Sequence, residues 1–173
     1  MINNEVYPLG GRSKRNKEQI LDSKYSQQAK RVDFVSVKLV KEKSFLYKQR
    51  TVTDPRAAYE LIKDMLESED REKLIACFLN TKNQPVAINI VSIGSLNSSI
   101  IHPREIFKVA VLSNAASIIL YHNHPSGDPT PSSEDFSATE RIKECGKLMG
   151  IDLLDHIIVG SDSYHSMRAK GEI

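Results

Sequence analysis

The chain has 173 residues, of which 40% are hydrophobic and 27% charged, with a net charge of +2. That is enough for one domain with a real core, has an ordinary soluble composition, and carries no charge excess that points to a partner. No apolar run approaches the roughly 20 residues that cross a bilayer. The opening Met1-Ile2-Asn3-Asn4-Glu5 lacks the apolar stretch of a secretory signal, so a cytoplasmic protein with no membrane partner is expected.

Residues 1–32 are polar and weakly periodic, and read as a basic N-terminal extension; the folded domain is expected over 33–173. Within the extension, Arg12-Ser13-Lys14-Arg15-Asn16-Lys17 is a basic cluster that can touch nucleic-acid phosphates. No aromatic residues are interleaved to stack on bases, so a solvated arm is the simpler reading and DNA is a weakly supported partner.

From Asp33 the pattern changes. Phe34 to Val40 reads as a strand, with a second short one around Phe45-Leu46-Tyr47. A sheet edge near Phe34 to Val40 offers a route to a homodimer. Asp54-Pro55 is a helix start, Asp as N-cap and Pro at the first helical position, and Ala57, Ala58, Leu61, Ile62, Met65 and Leu66 repeat at helical spacing to about Glu67. Lys73 to Leu79 is apolar on both faces, as a central strand is, and Val86 to Ile93 returns after a turn. A polar turn follows Gly94, then Ile100-Ile101, then a helix over about 103–114 that buries Ile106, Val109, Ala110 and Leu112. Ala115 to Tyr121 is a buried strand. A helix capped by Ser132 or Ser133 runs to about Met149 and stops at Gly150. Ile151 to Val159 and Tyr164 to Met167 are the last two strands. This order predicts an α/β domain with a mixed central sheet flanked by helices. Cys77 and Cys145 lie far apart in apolar or helical surroundings. They are expected to be two buried reduced thiols rather than a zinc-holding pair.

The chemistry concentrates in His122-Asn123-His124-Pro125-Ser126-Gly127-Asp128-Pro129-Thr130-Pro131-Ser132-Ser133-Glu134-Asp135. His122 and His124 stand two apart at a strand end, on one side of it. A loop rich in Pro and Gly then lets Asp135 return from the next helix. Two imidazoles and a carboxylate suit zinc and leave a fourth position open, the catalytic arrangement. Asp128 reads as a turn residue, since a fourth protein ligand closes the site to water. Ser132 and Asp135 also fit a helix capping box, a purely structural role. Asp155-His156 offers either a pair orienting a ligand from behind or ordinary polar strand residues. The contiguous His122-Asn123-His124 is not the motif of HNH nucleases, which spread those residues over a hairpin and helix.

The spacing His122-x-His124, seven residues, Ser132, two residues, Asp135 resembles the JAMM motif of the JAB/MPN metallopeptidases. The longer phrase from His122 to Ser132 resembles the RadC-like branch, as do Gly94-Ser95-Leu96-Asn97, Pro103-Arg104-Glu105 and Asp155 to Gly160; the similarity covers about 50–170. It implies a JAB/MPN, cytidine-deaminase-like fold and a zinc-dependent metallopeptidase or isopeptidase-like hydrolase acting on a peptide or protein amide. It also implies one Zn2+ held by His122, His124 and Asp135, and Ser132 helping to hold the oxyanion. An upstream glutamate is the general base: Glu72 is the better match and Glu105 the rival. In the plainer reading, Glu72 is a solvated member of a charged run and Glu105 a first-turn carboxylate favourable to the helix dipole. RadC proteins usually carry a helix-hairpin-helix module before this domain. Here a short basic arm stands in that place, which weakens a DNA-repair role. A catalytically silent metal-binding accessory protein in DNA transactions is the alternative.

Overall fold

The computed structural model describes residues 32–48, 50–67, 69–94 and 101–173. The basic cluster, nearly all of the expected extension, Ser95-Leu96-Asn97 and Ile100 lie outside the described residues. Lys38–Ile173 is one compact unit; of the unit ending at Val37, the described residues 32–37 are exposed and form neither helix nor strand.

Helix α1 (Pro55–Leu66) begins as its sequence dictates: the Asp54 carboxylate accepts from the Ala57 N–H at 2.8 Å, and Pro55 sits where no helical N–H is needed. Strand β1 (Lys73–Leu79) turns into β2 (Pro85–Ile93) as an antiparallel hairpin. Helix α2 (Pro103–Leu112) leads to β3 (Ser117–Asn123), and helix α3 (Ser133–Met149) to β4 (Asp152–Val159) and the short β5 (Tyr164–Ser166). Gly150 ends α3 in the left-handed conformation at φ 66.

The five strands lie in the order β2-β1-β3-β4-β5. Strand β1 is antiparallel to both neighbours, β3 and β4 are parallel, and β5 is antiparallel to β4. The sheet is therefore mixed, with α3 as the crossover between its parallel pair. Alternation along the strands divides the core. Ile75, Cys77, Leu79, Ile119, Tyr121, Ile157 and Val159 pack with α1 residues such as Leu61, Ile62 and Leu66. Leu74, Ala76, Phe78, Ile118 and Leu120 pack with Ile106 and Ala110 of α2 and Ala138 and Ile142 of α3. By the same alternation, the His122 ring falls on the α2/α3 side of the sheet.

Several expectations are corrected. Phe34 to Val40 and Phe45 to Tyr47 form no strand: Phe34 and Leu46 are fully exposed, and among the described residues no strand pairs with either segment. The described sheet has its edges at β2 and β5, and Phe34 to Val40 forms neither of them. In α2 the buried face is Ile106, Phe107 and Ala110, while Leu112 is exposed. Helical periodicity carries the stripe through Phe107, leaving Leu112 turned outward. Cys77 is buried, whereas Cys145 is only half-buried. No described helix is long and apolar enough to cross a membrane.

Candidate metal centre

Strand β3 delivers His122, whose ring is fully buried, and the chain continues straight for one more residue: the His124 N–H donates to the Val159 carbonyl at 2.9 Å. The loop then closes on itself. Gly127 N–H donates to the His124 carbonyl at 2.9 Å, and His124 Nδ1 meets the Asp128 carbonyl oxygen at 2.7 Å. Because a carbonyl has no proton to give, Nδ1 of His124 is the donor and its Nε2 is turned to the site. The Asp128 carboxylate accepts instead from the Thr130 N–H (3.0 Å) and hydroxyl (2.7 Å), so its side chain is a turn clamp.

Asp135 arrives from the first turn of α3. Ser132 is the N-cap, and the capping box is complete: the Asp135 N–H donates to Ser132 Oγ at 3.2 Å, and the Ser132 N–H donates to Asp135 Oδ2 at 2.7 Å. The Ser132 hydroxyl donates to the same Oδ2 at 2.7 Å. Held in this way, the carboxylate faces both imidazoles: Oδ1 lies 3.2 Å from His122 Nε2, and Oδ2 lies 3.5 Å from His124 Nε2. The two Nε2 atoms are 2.8 Å apart. One ligand atom from each of His122, His124 and Asp135 falls within 4.8 Å of the others, a group that could hold a metal ion.

The electrostatics fit that geometry. Burial disfavours the Asp135 charge, but hydrogen bonds from His122, His124 and Ser132 outweigh it and hold the carboxyl far below the usual carboxylate range. Asp135 raises the His124 pKa, against burial, with help from the Asp128 carbonyl and the Glu72 charge. The donor set is two imidazole nitrogens oriented by their own partners and one ionised carboxylate. It suits a borderline divalent ion such as zinc.

The two candidate glutamates stand in different settings. Leu74 pairs with His122 across the β1–β3 ladder, and Glu72 lies two residues earlier, just before β1, where its charge acts on His124. Glu72 is half-buried, and its backbone is fixed by Gly94 N–H donating to its carbonyl at 2.8 Å. Glu105 is an exposed first-turn residue of α2 whose carboxylate takes Lys108 Nζ at 2.9 Å and faces Arg104 at 3.4 Å; Lys108 above all lowers its pKa.

Sequence reading passed over two residues of the site. Asn123 is buried between the histidines, and its Oδ1 accepts from the Lys73 N–H at 2.8 Å while its amide donates to the Arg71 carbonyl at 3.0 Å. It thus grips the backbone on both sides of Glu72. Thr139, one turn after Asp135, is fully buried against His156. A buried asparagine inside the motif and a threonine four residues beyond the aspartate were the available signals. The Asp155-His156 pair separates: His156 Nε2 lies 2.8 Å from His122 Nδ1. The Asp155 carboxylate instead accepts from the Ser166 hydroxyl (2.6 Å) and the backbone N–H groups of His156 (2.8 Å) and Arg168 (3.0 Å).

A mixed five-stranded sheet between helices, with a His-x-His strand end facing an aspartate on the following helix, defines an α/β domain of the JAB/MPN class. The RadC-like JAB domain family model matches residues 52–172, and the chain belongs to that family. It is similar to a UPF0758 protein of Methanosarcina mazei, 50% identical over 123 residues, or 71% of this chain and 54% of that protein. A UPF0758 protein of Desulforamulus reducens is 54% identical over 119 residues, 69% of this chain and 52% of that protein. One from Clostridium botulinum is 56% identical over 122 residues, 70% and 54% of the respective chains. The chain thus spans about half the length of these curated relatives.

Proposed function

We propose that the chain is a zinc-dependent metallopeptidase or isopeptidase-like hydrolase, acting on an amide bond of a peptide or protein. The observation that carries this reading is the convergence of His122, His124 and Asp135 within 4.8 Å. The chemistry supplied by zinc when bound there is Lewis acidity toward water and toward an amide carbonyl.

The protein's own residues do the rest. Glu72 is the general base: its carboxylate takes a proton from the attacking water and returns it to the leaving amine. Ser132 holds the oxyanion that develops at the scissile carbonyl. Its hydroxyl has a single proton, donated to Asp135 Oδ2 at 2.7 Å in this structure. Turning that proton to an oxyanion leaves Asp135 anchored, because the Ser132 backbone N–H stays on the same oxygen at 2.7 Å.

The test is metal content of the purified protein beside His124→Ala, followed by hydrolysis of peptide- and isopeptide-linked fluorogenic substrates. Zinc is expected at one per chain and lost in His124→Ala. Turnover is expected to vanish in Glu72→Gln with zinc still bound, and to persist in Glu105→Gln. Turnover surviving in Glu72→Gln and lost in Glu105→Gln moves the base to Glu105. Zinc binding without turnover of any amide favours a catalytically silent metal-binding role.

A further inference from the structure

Behind His122 runs a closed path of buried hydrogen bonds. His122 Nδ1 meets His156 Nε2 at 2.8 Å, His156 Nδ1 meets Thr139 Oγ1 at 2.6 Å, and Thr139 Oγ1 meets the Asp135 backbone carbonyl at 2.6 Å. His122 and Thr139 are fully buried and His156 is 1% exposed. The path starts at one candidate ligand, on β3, passes through β4 and returns through α3 to another.

Counting protons along it leaves one arrangement. Two oxygens 2.6 Å apart need a proton between them, and the Asp135 carbonyl has none, so the Thr139 hydroxyl donates there. The Met167 sulfur, 3.4 Å from the same oxygen, is too weak an acceptor to compete. With its proton spent, Thr139 Oγ1 accepts, and His156 Nδ1 must carry the hydrogen. The His156 ring is 1% exposed and, among the described groups, no carboxylate side chain is hydrogen-bonded to it, so it carries one hydrogen and not two. Its Nε2 is therefore bare and accepts from His122 Nδ1–H. With a hydrogen on Nδ1, the nitrogen of His122 left for a bound metal is Nε2, the atom turned toward His124 and Asp135.

We propose that Thr139 and His156 are positioning residues: their relay fixes His122 as the tautomer whose bare Nε2 faces a bound metal and ties its ring to the helix that carries Asp135. The proposal rests on the reading of His122, His124 and Asp135 as a metal centre. A metal-ligating histidine commonly gives its second N–H to a carboxylate or carbonyl. Here the acceptor is another imidazole, held in its own tautomer by a threonine.

The test uses Zn2+ in competition with a chromophoric chelator, with circular dichroism of every variant. Thr139→Val, which keeps the shape and removes the hydroxyl, is expected to weaken zinc binding about 10–100-fold, and Thr139→Ser to restore it to within about threefold of wild type. An unchanged affinity in folded Thr139→Val overturns the relay. Nitrogen-15 imidazole shifts of the wild-type protein provide an independent readout that needs no variant. Nδ1–H on both His122 and His156 is expected with or without zinc, and a His122 Nδ1 that carries no hydrogen overturns the proposal even if zinc binds. Wild-type protein that takes up no zinc defeats the metal-centre reading itself, while the zinc-free tautomers still decide whether the relay exists.

Discussion

Ser132 and Asp135 hold each other at the start of α3. The serine oxygen caps the aspartate N–H at 3.2 Å, and the aspartate Oδ2 takes the serine N–H and hydroxyl, both at 2.7 Å. The cap that starts the helix is also the clamp that aims a ligand. Ser132→Ala is expected to cost about 1 kcal/mol of stability as a lost N-cap. It should also weaken zinc binding about tenfold, through a less constrained carboxylate. Urea denaturation and chelator competition read the two effects separately. A stability loss with unchanged zinc affinity reduces Ser132 to a helix cap.

Asn123 holds the start of β1 from the middle of the histidine pair, through Lys73 and Arg71. Asn123→Ala takes the partner from the part-buried Lys73 N–H and Arg71 carbonyl, which costs about 1 kcal/mol. The side chain does not contact the ligand atoms, so zinc affinity should stay within about threefold of wild type while turnover falls, since the backbone on both sides of Glu72 is released. Loss of zinc binding in folded Asn123→Ala removes this separation of roles.

The loop beneath His124 leans on a glycine. A Cβ on Gly160 would lie 2.3 Å from the Gly127 carbonyl oxygen and 2.8 Å from Pro129 Cδ. Those atoms flank Asp128, whose carbonyl orients the His124 ring at 2.7 Å. Gly160→Ala is expected to cost about 1–3 kcal/mol by overpacking and to weaken zinc binding with it. Thermal melts with and without zinc measure both, and a wild-type melting point in both states refutes the close packing.

Cys77 supplies a pH test away from the site. Burial pushes its thiol up to about 12 from an ordinary 9.0. Between those values the unfolded thiol gives up its proton and the folded one keeps it. Stability should therefore be fully present below pH 9 and fall as pH rises toward 12. The buried Tyr121 hydroxyl, also raised by burial, acts in the same direction. Urea midpoints across alkaline pH should decline, less steeply in Cys77→Ala. Iodoacetamide should label the half-buried Cys145 in the native protein and Cys77 only on unfolding. Rapid native labelling of Cys77 contradicts its burial.

The features legible along the chain are those that short-range chemistry fixes. Asp54-Pro55 starts α1 because an N-cap carboxylate and a proline act within one turn. His122 and His124 share a side because strand alternation needs only two residues, and Ser132 and Asp135 form a box because they are three apart. Tertiary structure decided the remainder. The relay to His122 joins residues 34 and 17 apart in sequence, and Asn123 reaches Lys73 across 50. No local period announces contacts of that range; they exist because β3 lies between β1 and β4 and α3 packs over them. The same dependence explains the missing strand at Phe34 to Val40. Its pattern suits a strand, but a strand exists only where another offers its backbone, and nothing in a single stretch of sequence says whether one will.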